Sequence, residues 1–439
     1  MSGPELLGII MLACLLAGIF VGFPVSFTLI LLSVAFGYIG FGSKVFYLMV
    51  LQALNIMKEE TMAAVPLFIF MGHILESAGL MERLFRSFQF MLARMKGSLY
   101  LGVLLTCTLF ATATGIIGAA TTVIGMLAAP AMKKSRYSPS LSAGAITAGG
   151  CLGILIPPSV MLVVMGPVLG VSVIHLFIAA IIPGLILSSL FIAYTLIRCH
   201  LNPELGPPLP REMWPESNLA VIKEFISGVV PLGFVIFAAL GSILVGLATP
   251  TEAAAMGAVG ALLLAVIYRR LTYAVLAEAS LSTLRTTSLI LLLVVASNIY
   301  GSVFTRLGTG TLLAEKMLAL PVPPLALMAI MMVVIFLLGW PLEWPAILFI
   351  FVPIFLPIVT ELNFDLIWFG TLLAVNLQTA FLSPPVAMSA YYLKAVAPEW
   401  TLKDIYSGMI QFMVLQFSGV IIVFFVPATA LWLPKLLYG

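Results

Sequence analysis

The stretch GILIPPSVML, residues 153–162, sets two adjacent prolines inside a run apolar enough to lie in a membrane. Proline removes an N–H donor and its ring clashes with the turn before it, so a helix entering this stretch cannot run straight through. In hydrocarbon the freed backbone groups are costly unless protein, water or a ligand satisfies them. FLSPPVAMS, residues 381–389, repeats the device, with Pro384-Pro385 lying 227 positions after Pro157-Pro158. The sequence therefore predicts an all-α membrane fold organised around two interrupted helices.

Composition agrees. Of 439 residues, 62% are hydrophobic and only 8% charged, and the mean hydropathy is +1.20, whereas a soluble domain carries about 25% charged residues. This is a polytopic membrane protein, with no basic block to bind nucleic acid. The cysteines (Cys14, Cys107, Cys151, Cys199) and histidines (His73, His175, His200) show no ligand spacing, so neither a metal centre nor a cofactor is expected, and the cysteines read as small core residues. The N-terminal MSGPELLGIIMLACLLAGIF lacks a basic region and carries Glu5, which reads as a retained first span.

Apolar segments of spanning length fall near 6–40, 44–57, 61–77, 97–134, 138–170, 172–198, 222–247, 250–268, 286–304, 324–359, 365–395 and 404–434. Several exceed one span of about 20 residues but fall short of two, so they must bend or turn back. A polar stretch with five prolines, 201–218, reads as a linker between halves 1–200 and 219–439. Matching features recur across it in order: Pro24 and Pro250, Gly72 and Gly301, Pro130 and Pro357, and SVIHLF at 172 and TLKDIY at 401. The near-constant offset implies a tandem repeat. Transporter repeats of this kind are commonly inverted, with sites at interrupted helices near the midplane.

Charge placement points to inversion. Arg83, Arg86, Arg94 and Lys96 precede 97–134, and Lys133, Lys134 and Arg136 follow it. Positive charge marks the cytoplasmic side, so both ends of that segment face the cytoplasm. Its middle, ATATGIIGAATT, can turn, giving a re-entrant hairpin. The segment 324–359 lacks basic residues, and its middle, LGWPLEWPA, holds two prolines; it fits a second hairpin entering from the opposite side. Two ordinary hairpins that cross fully are the alternative. Residues 81–96 carry an apolar stripe, Leu84, Phe85, Phe88, Met91, Leu92 and Met95, and read as an interfacial amphipathic helix. Residues 269–285 carry a weaker version.

At a broken helix, bare carbonyls favour cations and bare N–H groups favour anions. Thr147, Gly149, Gly150, Gly153 and Ser159 surround the first break. Asn376, Gln378, Thr379 and Ser383 precede the second, and their oxygens are hard ligands suited to sodium-like ions. Packing by small residues is the competing explanation for any one of them. Glu343 in the second hairpin is an intramembrane acid, for which cation or proton coupling and simple solvation at the hairpin mouth are equally open. Glu252, three residues after Thr249, reads as a helix-capping acid.

The run TGIIGAATTVIGMLAAPAMKKSRYSPSLSAGAITAGGCLGILIPPSVMLVV (114–164) resembles the large membrane subunit of tripartite ATP-independent periplasmic (TRAP) transporters. So do PLFIFMGHILESAG (66–79), LATPTEAAAMGAV (247–259) and NLQTAFLSPPVAM (376–388). The resemblance implies an ion-transporter-superfamily fold with a scaffold and a mobile, elevator-like transport domain in a bacterial inner membrane. It implies a sodium gradient as driving force and a small organic acid as substrate. It also implies two partners: a periplasmic binding protein that delivers the substrate and a small four-helix membrane subunit. Carried over by residue, it implies cation-binding positions at Thr114, Gly115, Gly149, Gly153, Pro157, Gly339, Thr379, Ser383 and Pro384. Substrate-binding positions would be Thr121, Thr122, Pro158, Ser159, Glu343, Asn376 and Pro385. Many relatives have serine where this chain has Ile116, which leaves the coupling cation open. A stand-alone symporter of the same superfamily is the alternative. An intramembrane enzyme is disfavoured, because no nucleophile–base pair or metal-ligand motif is present.

Overall fold

The computed structural model describes residues 3–114, 117–215, 217–384 and 387–438. It is helical throughout, with no strand among the described residues. Among the described residues six helices are long and apolar enough to cross a bilayer, or up to eight if two bent pairs are each counted as one span. Large apolar side chains stand exposed around the outside, among them Phe20, Phe234, Phe237 and Leu263. In water such a surface would associate; here it is the face that meets lipid.

Hairpin 1 consists of Ser98–Thr114 and Ile117–Lys134. Its two ends are tied together. Tyr137 Oη accepts from Leu99 N at 3.3 Å and pairs with Ser98 Oγ at 3.2 Å. The Pro-rich stretch closes the mouth from outside: Gly97 N donates to Gly206 O at 2.8 Å, Ser138 N to Leu205 O at 3.0 Å, and Tyr100 Oη to Leu205 O at 2.6 Å. The stretch 201–218 is thus docked against the hairpin base rather than hanging free.

Hairpin 2 consists of Pro324–Leu338, then Trp344–Ile350 and Val352–Glu361, the last two bent by 53°. The bend has a cause, because Pro353 removes the backbone donor that would bond Phe349 O across it.

The prolines break the other two helices as expected. Break 1 separates Pro139–Cys151 from Val160–Leu169, and break 2 separates Leu366–Ala380 from Met388–Val396. At 1.5 Å per residue the leading pieces are about 20 Å long, shorter than a hydrocarbon core of about 30 Å, so neither piece spans such a core before its break. Every residue from Leu141 to Cys151 and from Trp368 to Ala380 is buried. A helix buried all round belongs at the centre of a structure. Small residues allow that packing: Gly408 lies on the backbone of Ser140 and Gly144, where a side chain would force the helices apart.

Two expectations need correction. Residues 81–96 do not form a lipid-facing interfacial helix along most of their stripe. In the helix Leu80–Leu92, Leu84, Phe85 and Phe88 are buried in protein, and Phe85 covers Gly102 of hairpin 1. On the other side Ser87 Oγ lies 2.8 Å from Glu224 O and Arg86 Nε lies 3.4 Å from Glu224 Oε1. Only Met91 and Met95 stay exposed. An apolar stripe does not specify whether lipid or protein will cover it. Residues 269–285 are not a separate helix either. They enter one continuous helix, Tyr273–Arg306, which Thr272 caps by accepting from Val275 N and which meets no proline or glycine before Gly301.

Candidate functional site

Both hairpins and both breaks converge. On one side Thr121 of hairpin 1 packs on Gly150, and Cys107 packs on Gly149, in the leading piece of broken helix 1. Hairpin 1 also reaches across: Gly118 lies against the Tyr392 ring, and Gly125 against Leu393 and Val396, in the trailing piece of broken helix 2. On the other side Gly339 of hairpin 2 packs on Ala380, and Trp340 Nε1 donates to Ser383 Oγ at 2.9 Å. Asn376 Nδ2 donates to Met332 O at 2.8 Å, fixing the leading piece of broken helix 2 to hairpin 2. Cys151 Sγ and Ser389 Oγ, 3.2 Å apart, join the two breaks directly.

Between them lies a cavity of about 370 Å³. Ile117 and Gly118 come from hairpin 1, and Ile154 and Val160 from the edges of break 1. Residues 339–344 supply the tip of hairpin 2, and Leu377, Ala380, Phe381, Met388 and Tyr392 flank break 2. The fourth wall is Val25, Thr286, Leu289 and Ile290, from the helices Val25–Phe41 and Tyr273–Arg306.

The two breaks are finished differently. Ser159 caps the trailing piece of broken helix 1: its Oγ accepts from Leu162 N at 3.5 Å and donates to Ile154 O. The peptide between Pro157 and Pro158 is cis. The trailing piece of broken helix 2 starts at Ala387, in the left-handed region at φ 34°, with no side-chain cap. Its first residue, Met388, lines the cavity. An uncapped helix start presents bare N–H groups and a positive dipole end to whatever occupies the space.

Of the positions marked by sequence, Gly339 and Glu343 line the cavity. Glu343 precedes the helix Trp344–Ile350 and stands exposed; its carbonyl accepts from Ile347 N at 3.3 Å, while its carboxylate has no hydrogen bond or ion pair among the described residues. Gly153, Pro157, Pro158 and Ser159 are buried in break 1, and Asn376, Thr379 and Ser383 beside break 2. Pro384 is half-buried there. Thr379 Oγ1 is turned back to Val375 O at 3.2 Å. Thr121 is buried at the Gly149–Gly150 contact, and Thr122 is half-buried beside it. Gly115, Ile116 and Pro385 lie outside the described residues, as does the side chain of Thr114. Among the described residues, the buried polar atoms of these elements without a hydrogen-bond partner include Thr121 Oγ1 and both ends of the Gln378 amide, with Thr106 Oγ1 and Ser142 Oγ farther from the breaks. Such groups are rare in a folded interior and call for an explanation.

Sequence reasoning missed much of the wall. Trp340 and Trp344 were visible as two indoles flanking Glu343 in LGWPLEWP. Tyr392, Thr286, Leu289 and Ile290 carried no local signal, because only the fold brings them to the cavity. Glu252 does form a capping box with Thr249, with Glu252 Oε2 2.8 Å from Thr249 N. Lys394, the basic residue nearest to break 2, spends its ammonium on Pro398 O and Trp400 O at 2.7 and 2.8 Å. Among the described residues no group of His, Cys, Asp or Glu could hold a metal ion.

Residues 12–429 match the family model described as tripartite ATP-independent periplasmic transporter, DctM component. The chain is similar to the sialic acid TRAP transporter large permease protein SiaM of Vibrio cholerae, with 30% identity over 96% of this chain and 97% of the relative. It is similar to the 2,3-diketo-L-gulonate TRAP transporter large permease protein YiaN of Escherichia coli, with 28% identity over 95% and 97%. Among solved structures, the YdaH transporter of Alcanivorax borkumensis shares the fold, with a TM-score of 0.67 at 15% identity over 98% of this chain and 99% of that one.

Proposed function

Because this chain belongs to the family of tripartite ATP-independent periplasmic transporters, DctM component, we propose that it carries small organic acids inward across the bacterial inner membrane by a sodium-driven elevator movement. The observation that carries this reading is the convergence of both hairpins and both breaks on one cavity. The uncapped helix start at Met388 suits the carboxylate of such an acid. The unpartnered oxygens of Gln378 and Thr121 are the kind of hard ligand that a sodium ion takes.

Three walls of the cavity belong to hairpins and broken helices that are tied to one another, and the fourth belongs to the helices Val25–Phe41 and Tyr273–Arg306. Sliding the three-walled body along the fourth wall would expose the cavity first to one side of the membrane and then to the other. The two halves carry the same order of elements around their hairpins and breaks, which supports an inverted repeat formed by 1–200 and 219–439 and joined by 201–218. A periplasmic binding protein delivers the acid, and a small four-helix membrane subunit completes the transporter.

The test is uptake into proteoliposomes holding this chain and its small subunit, with the binding protein outside and a panel of labelled organic acids. The reading expects accumulation that needs both the binding protein and an inward sodium gradient. Absence of uptake for every acid would overturn it. Uptake indifferent to sodium would remove the coupling ion alone.

A further inference from the structure

The walls of the cavity are mostly apolar and strongly aromatic. Trp340, Trp344, Phe381 and Tyr392 line it together with aliphatic side chains, and among the described residues its polar side-chain groups are few: Thr286, Glu343, the Tyr392 hydroxyl and the two indole N–H groups. Among the described residues no Lys, Arg or His lines it. Within the proposed transport of organic acids, we infer that this cavity selects an acid with a ring-sized apolar body, phenyl or alicyclic, over short dicarboxylates and polyhydroxylated acids.

Three observations carry the inference. The first is the balance of the walls: a compact, strongly hydrated acid would give up water to face indole and aliphatic surface and gain little from it. Each methylene that such a surface buries is worth about fourfold in affinity, so a ring gains where a short polar chain cannot. The second is that one aromatic face of the wall, Trp340, is fixed before anything binds. The Trp340 indole is held by Ser383 Oγ at 2.9 Å, its ring stands edge-on to Phe336 at 5.7 Å, and Phe336 stacks edge-on to Phe417 at 5.0 Å. A preorganised flat face costs the ligand no ordering of the site. The third is that no cationic side chain among the described residues is there to clamp a second charge. A dicarboxylate has one end for the helix start at Met388 and none for its other charge, which would then share the cavity with Glu343.

The experiment uses the full-length chain purified into lipid nanodiscs in sodium buffer. Labelled phenylacetate is displaced in turn by cyclohexylacetate, succinate and gluconate. The inference expects the two ring acids to bind at least about tenfold more tightly than succinate and gluconate. Trp344→Ala should collapse that ratio, and Trp344→Phe, which keeps a ring, should preserve most of it. If Trp344→Ala does not fold, the ratio in the unaltered chain decides alone. Succinate or gluconate binding as tightly as phenylacetate overturns the inference; so does absent phenylacetate binding, or a ratio that survives in folded Trp344→Ala. Rejection of phenylacetate beside binding of succinate sinks this inference and leaves organic-acid transport standing. Failure of every acid in the proteoliposome assay sinks the transport reading itself.

Discussion

The tip of hairpin 2 and break 2 are joined by one directed bond, from Trp340 Nε1 to Ser383 Oγ at 2.9 Å, and Ser383 Oγ in turn donates to Ala380 O at 3.2 Å. Trp340→Phe keeps the ring in the wall and deletes the donor. Ser383 keeps its Ala380 bond, so the loss is one net hydrogen bond, about 0.5–1.5 kcal/mol. If the bond holds the tip in its binding position, apparent substrate affinity falls about two- to tenfold. Ser383→Ala is worse, because it leaves the indole N–H without its acceptor, at about 1–3 kcal/mol. Trp340 is only half-buried, so cavity water can repair part of this and the lower end is expected. The double variant decides the matter. Once the indole N–H is gone, nothing is orphaned by losing Ser383 Oγ. The combined cost should fall short of the sum of the single costs by about 1 kcal/mol, and the double variant should be no worse than Ser383→Ala. Substrate affinities in proteoliposomes, measured around the full cycle, test this. Costs that add to within about 0.5 kcal/mol would refute the coupling of tip to break.

Other perturbations separate packing from binding. Gly408→Ala would press a methyl group into the backbone of Ser140; overpacking of this kind costs about 1–3 kcal/mol, and the thermal midpoint of the detergent-purified chain should fall. Thr249→Ala removes the cap of the helix Pro250–Ile267, at about 0.5–2 kcal/mol. It should lower the midpoint while leaving substrate affinity unchanged, since Thr249 does not line the cavity. Tyr100→Phe deletes the 2.6 Å bond to Leu205 O, about 0.5–1.5 kcal/mol. Limited proteolysis within 202–217 should then run faster than in the unaltered chain, and an equal rate would show that this bond does not hold the stretch to the hairpin.

The elements that decide the fold were legible because proline acts locally. Pro157-Pro158 and Pro384-Pro385 mark the breaks wherever the chain sits, and the charge either side of 97–134 marks a segment that returns to where it began. The capping role of Glu252 was legible for the same reason, since a capping box is complete within four residues. What covers an apolar stripe was not. Leu84, Phe85 and Phe88 would look the same against lipid as they do against Gly102 and its neighbours. The continuity of Tyr273–Arg306 follows from missing breakers, a weaker signal than a proline. The cavity wall was least legible: Tyr392 meets Gly118 across 274 positions of sequence, and no local pattern encodes that contact. The Pro-rich stretch 201–218 was recognised by composition, but its hydrogen bonds to Gly97, Ser138 and Tyr100 use backbone carbonyls that any sequence would supply.

The central claim is that what this chain carries sits where both hairpins and both breaks meet. The most direct measurement is a cryo-electron microscopy map of the chain bound to an acid that it transports. The account predicts ligand density in the cavity between Gly118 and Glu343, with the acid's carboxylate at the helix start near Met388. Continuous helices through Pro157-Pro158 and Pro384-Pro385, or ligand density away from that cavity, would contradict it.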